Sequence, residues 1–220
     1  MFALRIRHFA EQSYVTKSGD KLQFTVKERS ETLNMGFTVD LFEVFIDKKA
    51  VGYLKAKYIR SSDWQQKFPD LKSFGKECFP RVFESLLYAE LQNKNPDLNP
   101  HLELNYWADR IKDLNKNLSR EYKKWKSYYM DHPVIDYIRV TDENLKRQGI
   151  GTALYEYAAR WYGSRDMKLY ASSNQSDSAQ ATWENLSQTH PVKEEKNPMN
   201  TSRDTWTPKL RRFLDYTDQS

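Results

Sequence analysis

Cysteine is all but missing from this chain. Cys78 stands alone in 220 residues, which excludes an intramolecular disulfide and any multi-cysteine metal site. A single thiol without a disulfide framework fits a reducing compartment, so the expected location is cytoplasmic. Long apolar runs are missing as well. No stretch reaches the roughly 20 apolar residues that a membrane-spanning helix needs, and no membrane association is expected. Residues 1–9 alternate apolar and basic side chains and lack the continuous apolar core of a signal peptide. Glycine is scarce, seven in the whole chain, so two of them within one turn carry information. Repeats and low-complexity tracts do not occur.

Charge and aromatic residues are plentiful. The net charge of +5 suits an anionic ligand, an acidic partner or nucleic acid, and chooses among none of them. The length is that of one domain, or of one domain carrying a large insertion, with enough chain for a real core.

The two close glycines fall in Lys146-Arg147-Gln148-Gly149-Ile150-Gly151-Thr152. The apolar run Val134 to Val140 before them reads as a strand, and Gly149 to Tyr162 reads as a helix. A strand, a glycine turn and a helix together aim bare backbone N–H groups at an anion. Glycine at 149 and 151 leaves room for a phosphate to approach, and Lys146 and Arg147 add positive charge. The turn is not a P-loop, which needs Lys-Ser/Thr directly after its second glycine. It is not a dinucleotide turn either, because Leu154 stands where the third glycine belongs. Further on, Met167 to Ala171 reads as a strand ending at Ser173-Asn174, and Ser176 to Leu186 reads as a helix.

Lys146 to Gly151 closely resembles the Arg/Gln-x-x-Gly-x-Gly/Ala turn of the GNAT superfamily of N-acyltransferases, with Lys146 where the family usually has Arg or Gln. Ala179-Gln180-Ala181-Thr182-Trp183-Glu184-Asn185-Leu186 resembles, in register, the helix after that family's fifth strand, usually Ala-x-x-x-Tyr-x-x-x-Gly-Phe. The resemblance spans about residues 134 to 188. It implies one α/β domain over residues 1–220, built on a mixed, mainly antiparallel twisted sheet with flanking helices. It implies acyl-coenzyme A, most simply acetyl-coenzyme A, as the donor. The pyrophosphate would sit on the amides of Gln148, Gly149, Ile150, Gly151 and Thr152, with Lys146 and Arg147 nearby. The fourth strand would splay from the fifth, and its backbone at Ile138, Arg139 and Val140 would pair with the pantetheine arm. Asn174 would hold the cofactor or a bridging water, or else merely cap the strand end. The implied activity is acyl transfer to a primary amine on a protein or another macromolecule.

The rest of the chain is read around that segment. Leu22 to Val26 alternates as a strand does, and Met1 to Phe9 does so less clearly. Val39 to Ile46 and Ala50 to Ile59 flank Asp47-Lys48-Lys49 as a hairpin would; they resemble the family's second and third strands. Only Lys27 to Phe37 is left for the family's first two helices, which must be short or absent. Residues 61–132 then intervene before the fourth strand as a helical insertion. Pro80 starts one helix through Leu91, with Cys78 at its beginning as a packing residue. Asn99-Pro100 starts a second helix of roughly thirty residues, along which Trp107, Ile111, Leu114, Leu118, Tyr122, Trp125 and Tyr129 recur at helical spacing until Pro133. The two form a helical hairpin. Its apolar stripe would pack on the sheet, on a second copy as a homodimer, or over the acceptor site. The opposite face carries Arg110, Lys112, Lys116, Arg120, Lys123, Lys124 and Lys126, either a solvated helix face or a surface for nucleic acid. Val192 to Thr207 reads as a polar loop near the acceptor, and Lys209 to Tyr216 as a last strand.

Acyl transfer needs a neutral amine, a positioned thioester and help for the departing thiolate. The helix after the fifth strand puts Trp183 at the place of the family's tyrosine acid, and an indole N–H gives up no proton at useful pH. Three accounts stand. Another group serves, from among Tyr170, Ser173 and Tyr155; or the thiolate leaves unaided; or the chain binds the cofactor without transferring acetyl, as a silent module. Asp136 on the fourth strand is the first candidate base, sharing a face with Ile138 and Val140 unless the strand is bulged. His132 is the second. The runner-up reading is a protein that binds or modifies nucleic acid on this fold, as in phage Mom-like DNA modification.

Overall fold

The computed structural model describes residues 14–30, 37–78, 104–200 and 208–219. The alternating and β-branched runs pair into one sheet of eight strands. These are β1 (Tyr14–Val15), β2 (Lys21–Ser30), β3 (Thr38–Ile46), β4 (Lys49–Tyr58), β5 (Val134–Val140), β6 (Leu169–Tyr170), β7 (Val192–Lys196) and β8 (Leu210–Leu214). They lie in the order β1-β2-β3-β4-β5-β6-β8-β7. Every strand pairing is antiparallel except that of β5 with β6. The α-helices among the described residues are α1 (Ser61–Lys67), α2 (Leu71–Cys78), α3 (Leu104–Tyr129), α4 (Ile150–Gly163) and α5 (Asp177–Thr189). The fold is thus mixed α/β around a mainly antiparallel sheet, as expected.

Local chemistry accounts for the elements. The β3–β4 hairpin closes through Asp47 and Lys48, both at positive φ (48° and 67°), the backbone of a two-residue turn matched to strand twist. Residue Lys49 already belongs to β4. The run Lys27 to Ser30, held open for helix, continues β2. Helix α4 buries Ile150, Leu154, Ala158, Ala159 and Tyr162 against Phe42, Val44, Leu54 and Ala56 of β3 and β4. Tyr162 donates a 2.7 Å hydrogen bond to the carboxylate of buried Asp40 across that core.

A second core forms where the insertion begins. Trp64, Phe68 and Phe74 of 61–78 pack with Ile59 against Tyr122, Trp125 and Tyr129 of α3. The apolar stripe therefore serves this intramolecular core along its described part, with Leu118 also buried. The side chains of Trp107, Ile111 and Leu114, the start at Asn99-Pro100, the Pro80–Leu91 helix and the Met1–Phe9 strand lie outside what is described. Cys78 is the last residue of α2, which runs Leu71–Cys78. It packs at the edge of this second core, and burial pushes its thiol up to about 12.

The segment read as a polar loop contains a strand. Val192 to Lys196 shows no apolar alternation, yet it forms β7 by pairing with β8. The signal is cross-strand charge: Glu194 lies opposite Arg212 and Glu195 opposite Arg211, and both pairs form ion pairs. Charged side chains on the last strand also blunt an exposed edge.

Just past β8, Asp215 is 8% exposed. Burial alone raises its pKa, but hydrogen bonds from Thr217 and Lys193, with the nearby Lys168 charge, outweigh it and carry the carboxyl down to about 2. A carboxyl depressed in the fold stabilises above its unfolded pKa of about 4 and loses that contribution as pH falls toward 2. The expected result is that Asp215→Asn lowers stability at pH 7 by about 2 kcal/mol, with the gap closing between pH 4 and pH 2. Urea melts of both proteins across that range check it.

Candidate functional site

The parallel neighbours β5 and β6 meet through a single register pair, Val134 with Tyr170. Along β4, by contrast, β5 is paired from Val134 to Val140. Past Val134 the two parallel strands part, and among the described residues no strand pairs with β5 on that side, which leaves an edge of backbone donors and acceptors. A cavity of about 950 Å³ opens beside this stretch of β5, within the size range of cofactor sites. Its walls are the edge of β5 (Tyr137, Ile138, Arg139, Val140), the turn and first residues of α4, and one face of α5.

The turn is built as its sequence suggests. Gly149 is the residue before α4 and has φ 87°, a left-handed conformation that glycine adopts without a Cβ penalty. Arg147 is also left-handed, at φ 64°. No side chain caps α4, so the N–H groups of its first turn point outward with no acceptor inside the helix. A Cβ at either Gly149 or Gly151 would meet nothing within 4 Å. Both glycines border open space, which is the condition for a ligand to reach the backbone.

Of the residues expected at a cofactor, Ile138, Arg139, Val140, Lys146, Arg147, Gly149, Ile150, Gly151 and Thr152 line the cavity. Gln148 lies behind the turn: its N–H donates to the Leu145 carbonyl at 3.3 Å and its carbonyl accepts from Lys17 N–H at 3.1 Å. Asn174 is exposed, and its N–H donates to Ser172 Oγ at 3.3 Å. Asn174 and Gln148 are not among the described lining residues.

The three catalytic candidates sit apart from the cavity. Residue Asp136 is the extra residue of a bulge, because β4 pairs Lys55 with Tyr137 and Ala56 with Ile135. The bulge puts Ile135, not Asp136, on the core side with Ile138 and Val140. Asp136 instead forms a salt bridge with Lys57. Tyr170 is buried beneath the Arg211 guanidinium, 4.0 Å from its ring centroid, with the His132 ring 4.9 Å away. Burial pushes its phenol up to about 12. Ser173 holds its backbone N–H on the Tyr128 hydroxyl at 2.8 Å. His132 is turned to the Ser127 carbonyl at 2.9 Å, and burial lowers its pKa.

Sequence reasoning missed two walls of the cavity. Lys17 arrives from the β1–β2 turn, which a Thr16–Ser18–Asp20 hydroxyl–carboxylate cluster holds rigid. Nothing in the sequence ties it to a turn so distant in the chain. The second is a face of α5: Ser178, Thr182 and Asn185 recur at four and three and all line the cavity, a spacing that was legible. Trp183 is 1% exposed and faces inward, its ring edge-on to Tyr155 at 5.4 Å between centroids.

The mouth is electropositive. Lys17, Arg139, Lys146 and Arg147 line it, against the single carboxylate of Glu143, which pairs with Lys146 at 2.6 Å. Positive charge, outward N–H groups and that edge of β5 together suit a ligand with both phosphate and amide groups. No family model matches the chain, and neither curated proteins nor solved structures yield a match. No helix among the described residues is long and apolar enough to cross a membrane.

Proposed function

We propose that this chain is an acyl-coenzyme A-dependent N-acyltransferase of GNAT type, using acetyl-coenzyme A on a primary amine of a macromolecule. The single observation that carries the reading is the cavity beside the part of β5 that leaves β6, with the uncapped α4 turn at one end. An extended chain with amides can pair with that edge of β5 as an added strand. Phosphates can accept the outward N–H groups of the α4 turn while Lys17, Arg139 and Arg147 balance their charge. The residues present therefore fit coenzyme A. When bound, that group supplies an acyl thioester; this chain's part is to bind and orient it and to exclude water from one flank.

The basic face of α3 supports the nucleic-acid reading less. Glu121 lies among the cations, 2.8 Å from Lys124 three residues on, an ordinary helix pair that takes up part of the charge run. Calorimetry with acetyl-coenzyme A and with free coenzyme A tests the proposal. The expected result is micromolar binding of both, weakened by salt as phosphate contacts require. Absence of binding for both sinks it.

A further inference from the structure

Tyr155 is the one tyrosine among the residues considered for the departing thiolate that reaches the cavity. It lines the wall beside Ser178 and Thr182. Only 2% of it is exposed, and among the described residues no protein group hydrogen-bonds its phenol, on which burial acts alone. With no protein acceptor, that hydroxyl can donate to a ligand atom in the cavity its residue lines. Its ring is fixed by the edge-on contact with Trp183. Trp183 thus stands at the family's tyrosine position and, from α5, holds a tyrosine supplied by α4.

Resting on the acyl-coenzyme A reading of the cavity, we propose that Tyr155 stabilises the departing thiolate of coenzyme A by a hydrogen bond from its phenol, with Trp183 as a positioning residue. The acceptor amine forms the C–N bond, the C–S bond breaks, and sulfur leaves with its electron pair as the thiolate. The surplus amine proton passes to water. The phenolic proton stays on Tyr155. Burial pushes that phenol up to about 12, well above a thiol near 8.5, so full transfer to sulfur runs uphill while donation of a hydrogen bond does not. The role is therefore that of a preorganised donor aimed at developing charge.

The test needs no acceptor. The thiolate absorbance of coenzyme A is titrated with pH while it is bound to the wild type, to Tyr155→Phe and to Trp183→Phe. A donor favours the charged form, so the wild type should ionise the bound thiol about tenfold more readily than Tyr155→Phe does, and Trp183→Phe should fall between. Desulfo-coenzyme A should bind the wild type and Tyr155→Phe equally. Because the phenylalanine ring keeps its contact with Trp183 and no protein hydrogen bond is lost, that variant should melt like the wild type. Equal thiol ionisation in wild type and Tyr155→Phe overturns the proposal for Tyr155. Failure of the wild type to bind coenzyme A overturns the donor reading beneath it.

Discussion

Replacing Gly149 with tryptophan should weaken acetyl-coenzyme A binding by at least about 100-fold, or about 2.7 kcal/mol. A Cβ at this position meets no protein atom within 4 Å, so the indole has nowhere to go but the space in front of the α4 turn. That is the space a phosphate must enter to reach the N–H groups. The substitution also places an L-residue at φ 87°, which costs about 1 kcal/mol of stability by itself. Gly149→Asn separates the two effects, because asparagine tolerates the left-handed region and carries a short side chain. The asparagine variant should keep most of the affinity. Calorimetry on the three proteins, with thermal melts to show that each is folded, decides the matter. Tight binding by the tryptophan variant would mean that the turn holds no phosphate.

The Gly149–Gly151 turn was legible because glycine is rare here and both copies sit between a strand pattern and a helix pattern. The α4 helix followed from its periodicity, and the β3–β4 hairpin from two apolar runs around three polar residues. What escaped was set by partners distant in the chain. Strand β7 has no apolar alternation of its own and forms because Glu194 and Glu195 find Arg212 and Arg211 across the ladder. The placement of Asp136 turns on one extra residue in the β4–β5 register, which reverses the face that simple alternation assigns to it. Lys17 reaches the cavity through a hydrogen bond to Gln148. The catalytic candidates were chosen by residue type and strand position. Tyr155 lies on α4, and it lines the cavity while Tyr170 is covered by Arg211.

Arg211 is also where the largest loss of stability is expected. It is 3% exposed. Its two terminal nitrogens donate to the Tyr128 and Ser127 carbonyls at 3.2 and 3.3 Å, and Nε donates to Glu195 at 2.8 Å. Those carbonyls belong to the last turn of α3, which has no partners for them within the helix and carries the negative end of its dipole. One guanidinium thus caps the insertion helix and fastens it to β8. Arg211→Met keeps apolar volume but removes the cap and the ion pair. Breaking a buried pair costs about 3–5 kcal/mol; Glu195, 38% exposed, can turn to water, so about 3 kcal/mol is expected. Arg211→Lys retains the charge without the planar fork and should recover less than half. The effect should also reach the cavity. Tyr128 holds the Ser173 N–H in the segment leading into α5, whose face lines the cavity, so on the proposed reading a loosened α3 should reduce coenzyme A affinity severalfold. Urea melts and calorimetry on both variants measure the two effects; wild-type stability in Arg211→Met would show that α3 is held by its apolar stripe alone.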